Sequence, residues 1–139
     1  MPGYGTRSSQ VPAESGEHLY SSETRFVGEV GVVAVSGEMD LCTASRFRQD
    51  IDEAVVRTSG DLVLDLSRVD VIDSAALGVM LRVQSMLDED GRSVVLVVTR
   101  AHVMRILTIT GLRTTFRLAA SVAEAIGHIA DRADPRRAA

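Results

Sequence analysis

The sequence predicts a single α/β domain with a mixed, mostly parallel β-sheet of four to five strands and about four helices. The chain has 139 residues, which suits one domain of ordinary size with some tail. From Leu19 onwards, short apolar runs alternate with segments of helical period, the pattern of strand–helix units with parallel strands. Apolar residues make up 45% of the chain and charged residues 24%, as in domains that bury a packed core.

Composition also sets the domain boundaries. Residues 1–18 are dense in Gly, Ser and Pro with only scattered apolar positions, so they cannot bury enough surface to offset the entropy of ordering. We predict a disordered tail over 1–18, one domain over 19–131, and a fraying tail over 132–139.

Five strands are predicted from the apolar runs. Continuous runs of Val and Leu, rather than alternating ones, indicate strands that are covered on both faces or lie centrally. In chain order the predicted strands are 20–27, 31–36, 61–66, 93–98 and 115–118.

Four helical segments lie between or after these strands, over 43–56, 74–89, 102–110 and from Ser121 onwards. Asp73 suits the N-cap of the second helix, which places Ser74 in its first turn. Ser121 and Glu124 form a capping box at the start of the fourth helix, and Gly111 suits a left-handed end to the third.

One stripe of the second helix carries no large apolar side chain and is expected to face solvent; it consists of Ser74, Gly78, Arg82, Ser85 and Glu89. A phosphoryl group on Ser74 would meet unpaired N–H groups and the positive end of the helix dipole there. Beside the core stripe runs another apolar row, which includes Val79 and Val83. This row is either a partner-binding flank or is covered by a neighbouring helix of the same chain.

A second loop, over 37–44, connects a strand to the first helix. In a parallel arrangement this loop and the one at Asp73 both lie at the carboxyl ends of strands, where sites usually gather. Asp40 and Ser74 are therefore candidates for one surface patch, with a simple helix-capping role as the alternative for Asp40.

Several functional classes are excluded by composition. The formal charge of −4 has the wrong sign for binding nucleic acid or anionic lipid. No apolar run reaches the ~18 residues of a membrane span and no charged-then-apolar leader is visible, so we expect a cytoplasmic protein that is not in the membrane. With one Cys and three widely spaced His residues, no metal or cofactor site is predicted. Cys42 is expected to be packed and inert, with a redox role as the alternative.

An enzyme is not predicted, because the sequence has no phosphate-cradling glycine loop, nucleophile elbow or paired-His motif. The nearest rival of similar topology is a two-component receiver domain with Asp65 as phosphate acceptor. That class depends on a lysine, and all 15 basic residues of this chain are Arg.

Taken together, these segments resemble the STAS domain of bacterial anti-sigma factor antagonists, over about Leu19 to Asp131. The resemblance rests on three groups of residues: Gly37-Glu38-Met39-Asp40 with Thr43-Ala44; Leu62-Val63-Leu64-Asp65-Leu66 leading to Val71-Ile72-Asp73-Ser74-Ala75-Ala76-Leu77-Gly78; and Leu107-Thr108-Ile109-Thr110-Gly111-Leu112 with Phe116.

The resemblance implies a non-catalytic regulator whose unmodified form binds an anti-sigma factor that is also a serine kinase, which releases a sigma factor. The kinase would phosphorylate Ser74 to end the complex, and a serine phosphatase would restore it. The predicted partner-binding residues are Asp40, Thr43, Asp73, Ser74, Gly78, Val79 and Arg82. Where the family usually has Ser or Thr and then Gly after this serine, the chain has Ala75 and Ala76. The alternative is a STAS scaffold or small-ligand sensor in which Ser74 stays unmodified.

Overall fold

The computed structural model describes residues 7–12 and 19–133. In chain order the elements are β1 (Arg7–Pro12), β2 (Leu19–Val27), β3 (Val30–Met39), α1 (Ala44–Arg57), β4 (Leu62–Ile72), α2 (Ser74–Glu89), β5 (Val94–Val97), α3 (Ala101–Ile109), β6 (Arg117–Ala119) and α4 (Val122–Ala133). The strands form one sheet in the order β1 to β6. The pairs β1–β2 and β2–β3 are antiparallel and the other three are parallel, so the predicted mixed α/β fold is confirmed.

The predicted disordered tail was wrong over residues 7–12, which form the additional strand β1. This strand pairs with β2 along its whole length, with Arg7 opposite Thr24 and Pro12 opposite Leu19. Composition indicates how much apolar surface a segment can bury, whereas an edge strand satisfies its backbone hydrogen bonds on a neighbour whatever its own apolar content. The remaining parts of the predicted tails, 1–6, 13–18 and 134–139, lie outside the described residues, and α4 runs two residues past the predicted domain end.

Two cores cover the two faces of the sheet. Helices α1, α2 and α3 pack on one face, around Phe47, Leu64, Met80 and Leu107. Helix α4 packs on the other face, where its Ala125 meets the alternate residues of the central strands, including Val63 and Val95. Double coverage explains why β3, β4 and β5 read as continuous apolar runs in the sequence.

A buried polar cluster joins α1 to β2 inside the larger core. The carboxylate of Asp50 accepts hydrogen bonds from the hydroxyls of Tyr20 at 2.7 Å and Ser22 at 2.8 Å, and it pairs with Arg46 on the preceding turn of α1. Burial, together with the adjacent Asp50 carboxylate, raises the pKa of Tyr20 above its ordinary value of 10.0. Tyr20 therefore remains a hydrogen-bond donor to Asp50 across the physiological range.

Gly37 allows β3 to bend towards the end of β4. Its φ of 95° lies in the left-handed region, and a Cβ at this position would come within 2.3 Å of the carbonyl oxygen of Leu19. The β3–β4 register shifts just before and just after Gly37, which is typical of a bulge that redirects a strand end. The bend carries Met39 and Asp40 to the edge where β4 ends.

None of the helices in the described part of the chain is long and apolar enough to cross a lipid bilayer.

Candidate functional site

The site is built where β3 and β4 end side by side, and Asp73 caps the helix that begins there. Asp73 has an extended backbone, and its Oδ1 accepts hydrogen bonds from the N–H groups of Ala75 at 2.9 Å and Ala76 at 3.3 Å. Helix α2 begins at Ser74, as the sequence predicts. The predicted N-cap role of Asp73 is therefore confirmed.

The same carboxylate also contacts the loop between β3 and α1. Its Oδ2 accepts a hydrogen bond from the N–H of Leu41 at 3.0 Å, and the Asp73 N–H donates to the Met39 carbonyl oxygen at 3.1 Å. The loop that carries Asp40 and the helix that carries Ser74 are thus bonded together, so both predicted loops contribute to one edge of the molecule.

Asp40 and Thr43 give the β3–α1 loop its shape. Oδ1 of Asp40 accepts from the N–H groups of Cys42 at 2.9 Å and Thr43 at 3.2 Å. The Thr43 hydroxyl accepts from the Asp40 N–H at 3.0 Å and donates to the Glu38 carbonyl oxygen at 2.8 Å. Both side chains are buried, with Thr43 only 2% exposed, and the N-cap of α1 is Thr43 rather than Asp40.

The predicted solvent-facing stripe of α2 is exposed at Ser74, Gly78, Ser85 and Glu89. Arg82 is half-buried instead, because its guanidinium pairs with Asp52 on the adjacent helix α1. In the apolar row beside it, Val83 is buried and Val79 is half-buried against the core. This row is covered largely by the chain's own packing.

Two details of the site differ from expectation. The N–H groups of Ala75 and Ala76, expected to be free for a phosphoryl group on Ser74, already bond to Asp73, because an aspartate N-cap competes for those donors. Cys42 is exposed rather than packed, since it belongs to a turn that projects from the sheet edge.

Leu41 is a residue that sequence reasoning missed. It is 79% exposed and lies beside the N-terminus of α2, held there by its own N–H. The sequence did hold a signal for its exposure. Leu41 lies in a turn between Asp40 and Cys42, outside any apolar helix or strand face that could pack on the core.

A separate cleft of about 370 Å³ opens on the same face of the sheet as α4. Its lining is mainly polar and comes from β2, β3 and β4, including Ser21, Glu23, Arg25, Asp65 and Arg68. Among the described residues, no cluster of three or more His, Cys, Asp or Glu is arranged to hold a metal ion.

Comparison with known proteins agrees with this geometry. A family model for the STAS domain matches residues 21–125 of the chain. The chain belongs to the STAS domain family.

Named relatives of this STAS domain are antagonists of anti-sigma factors. It is 34% identical over 99 residues to the anti-sigma-F factor antagonist RsfB of Mycobacterium tuberculosis, which covers 70% of this chain and 79% of the relative. The crystal structure of an anti-sigma factor antagonist from Mycobacterium paratuberculosis superposes with a TM-score of 0.72 at 25% identity, over 94% of this chain and 97% of that one. The antagonist SpoIIAA in its unphosphorylated form shares the fold, with a TM-score of 0.68 at 20% identity over 78% and 96% of the two chains.

Proposed function

We propose that this STAS domain is an anti-sigma factor antagonist. Its unmodified form binds an anti-sigma factor that is also a serine kinase and so releases a sigma factor. Phosphorylation of Ser74 by that kinase ends the complex, and a serine phosphatase restores the binding form. The observation that carries the proposal is the exposed Ser74 in the first turn of α2, beside an ordered loop at the carboxyl edge of the sheet. The names of the mycobacterial relatives support it.

The charges around Ser74 support the direction of the switch. A phosphoryl group adds about −1.5 to −2 charges beside the Asp73 carboxylate, which already takes the N–H groups of Ala75 and Ala76. The added charge therefore faces solvent, or the partner. If an unmatched charge costs about 2–5 kcal/mol at an interface, affinity falls roughly thirty-fold to several-thousand-fold.

Exposure of Ser74 supports a switch that acts on binding and not on folding. Its side chain is not needed for the core, whereas Ala76 is fully buried and Ala75 is half-buried. Within the first turn of α2, Ser74 is the residue that offers an exposed hydroxyl to a kinase. The alanines that replace the family's usual residues leave this acceptor in place.

The ligand-sensor alternative has less support. The cleft on the opposite sheet face is open and lined mainly by polar side chains, whereas small-molecule sites are mostly apolar and enclose their ligands. The partners we propose are therefore proteins, an anti-sigma kinase and a phosphatase, and the place of action is the cytoplasm, where sigma factors meet RNA polymerase.

Phosphoryl transfer to Ser74 tests the enzymatic half of the proposal. The purified chain is incubated with ATP and, one at a time, with each anti-sigma factor of the source organism that has a serine-kinase domain. Mass spectrometry should find one phosphate, at Ser74, and none on Ser74→Ala. A phosphate-free chain after incubation with the kinase that binds it would rule out this switch.

A charge substitution tests the binding half. Ser74→Glu should weaken binding to that anti-sigma factor about tenfold, a change of ~1.4 kcal/mol, because one carboxylate carries less charge than a phosphate. Ser85→Glu is the matched control, since Ser85 is also exposed on α2 but lies about 16 Å further along the helix. Calorimetry gives both affinities, and both variants should melt within about 2 °C of the wild type. Equal weakening by the two substitutions would argue against a local switch at Ser74.

A further inference from the structure

Asp73 does more than cap a helix, because its two carboxylate oxygens serve different elements. Oδ1 accepts from two N–H groups of α2, and Oδ2 accepts from the N–H of Leu41, which is 32 residues away in the chain. An N-cap needs only the first of these contacts. The second contact fixes the β3–α1 loop against the helix that carries Ser74.

Leu41 depends on such backbone contacts for its position. With 79% of it exposed, its side chain has little packing to hold it. Its neighbours Cys42 and Thr43 bond to Asp40 within the loop, so those contacts shape the loop without tying it to α2. The hydrogen bond from the Leu41 N–H to the Asp73 carboxylate joins this loop to the start of α2.

We propose that Asp73 is a positioning residue for partner capture, and that Leu41 is the apolar contact it presents. The occupant of the Leu41 surface is the anti-sigma factor of the proposed function, on which this inference rests, through an apolar pocket that faces Ser74. Interfaces place an apolar side chain in a partner's pocket and surround it with polar groups. Leu41 has such surroundings, with the Ser74 hydroxyl and the open helix surface at Gly78 on the neighbouring element.

Asp73→Asn separates positioning from capping. Asparagine caps helices as well as aspartate does, but its amide nitrogen cannot accept a hydrogen bond, so it cannot serve α2 and Leu41 together. Asp73→Ser is the second variant, because serine also caps but is too short to reach Leu41 as well. Leu41→Ala removes the proposed contact, and Val56→Ala is its matched control, since Val56 is 84% exposed at the far end of α1.

Amide hydrogen exchange of the free protein tests positioning without any partner. In Asp73→Asn and Asp73→Ser the Leu41 amide should exchange at least about tenfold faster than in the wild type, while the Ala76 amide changes by less than about threefold. Unchanged exchange at Leu41 in both variants would overturn the positioning role.

A double-mutant cycle on the purified kinase-type anti-sigma factor tests the consequence for binding. Asp73→Asn and Leu41→Ala should each weaken binding about tenfold, and Val56→Ala less than twofold. In the Leu41→Ala background, Asp73→Asn should cost less than about threefold more, because the side chain that Asp73 positions is gone. Full additivity of the two effects, or wild-type binding by either variant, would overturn the inference while leaving the antagonist role intact. Failure of the wild type to bind any such factor would instead overturn the proposed function, and with it the binding role of Leu41.

Discussion

The two ends of the parallel strands are built in opposite ways. At the amino end, the half-buried Arg92 donates to the carbonyl oxygens of Gly60 at 2.8 Å and Thr58 at 2.7 Å, and Asp61 accepts from the Ser93 N–H at 2.9 Å. At the carboxyl end, Leu41 and Ser74 project from backbone that is ordered by carboxylates. One end is closed by contacts within the chain, and the other holds ordered groups open to a partner.

Two glycines, one near each end of the parallel strands, show this difference in packing. A Cβ at Gly60 would lie 2.7 Å from the Glu29 carbonyl oxygen, whereas a Cβ at Gly78 would have nothing within 4 Å. Glycine inside a helix costs about 1 kcal/mol relative to alanine, so nothing in the chain's own packing favours Gly78. We infer that Gly60 serves the fold and that Gly78 leaves room for a partner's approach.

The largest effect is expected at the amino end. Gly60→Ala should lower the free energy of unfolding by about 2–3 kcal/mol, because the clash is with backbone that cannot move aside cheaply. Urea denaturation measures this change. The folded fraction of Gly60→Ala should bind the anti-sigma factor with wild-type affinity. If Gly60→Ala were as stable as the wild type, the close packing of Gly60 against the Glu29 carbonyl would be contradicted.

Arg92→Met should cost about 2 kcal/mol, since it removes charged donors from two carbonyl groups while keeping much of the side-chain volume. Arg105→Met, at an exposed position of α3, is the control and should change stability by less than about 0.5 kcal/mol. Equal effects in thermal or urea denaturation would contradict the assigned role of Arg92.

Tyr20→Phe should cost about 1–2 kcal/mol, because the buried Asp50 carboxylate loses one donor. The folded state raises the pKa of Tyr20, so it holds the phenol proton more tightly than the unfolded state does. The stability gained in this way is complete below about pH 10 and is lost as pH rises above that value. The free energy of unfolding, measured by urea denaturation at pH 8 to 11, should therefore fall more steeply with pH for the wild type than for Tyr20→Phe. An equal pH dependence in the two proteins would contradict this sign.

The smallest expected change in stability contrasts two helical glycines. Gly78→Ala and Gly127→Ala should each raise the free energy of unfolding by about 0.5–1 kcal/mol, because a Cβ meets open space at both positions. Only Gly78→Ala should weaken binding to the anti-sigma factor, by roughly threefold to tenfold. If both variants bind like the wild type, the partner does not approach α2 at Gly78.

The features that the sequence predicted most accurately are those that neighbouring residues determine, such as helix ends. Asp73 marked the start of α2 because an N-cap lies next to the helix it caps, and Gly111 ends α3 in the left-handed conformation that was expected. Strand β1 was not predicted because its pairing with β2, and not its composition, stabilises it. The contact between Asp73 and Leu41 joins residues 32 positions apart, and no local pattern reveals which backbone N–H will meet a given carboxylate oxygen.

The most direct measurement compares the affinity of one anti-sigma kinase for two forms of the same chain. The chain is prepared unmodified and, separately, phosphorylated at Ser74, and calorimetry determines the dissociation constant of each form. We predict at least about thirty-fold weaker binding by the phosphorylated form, as an unmatched interface charge requires. Equal affinity of the two forms would contradict the central claim that charge at Ser74 decides whether the partner stays bound.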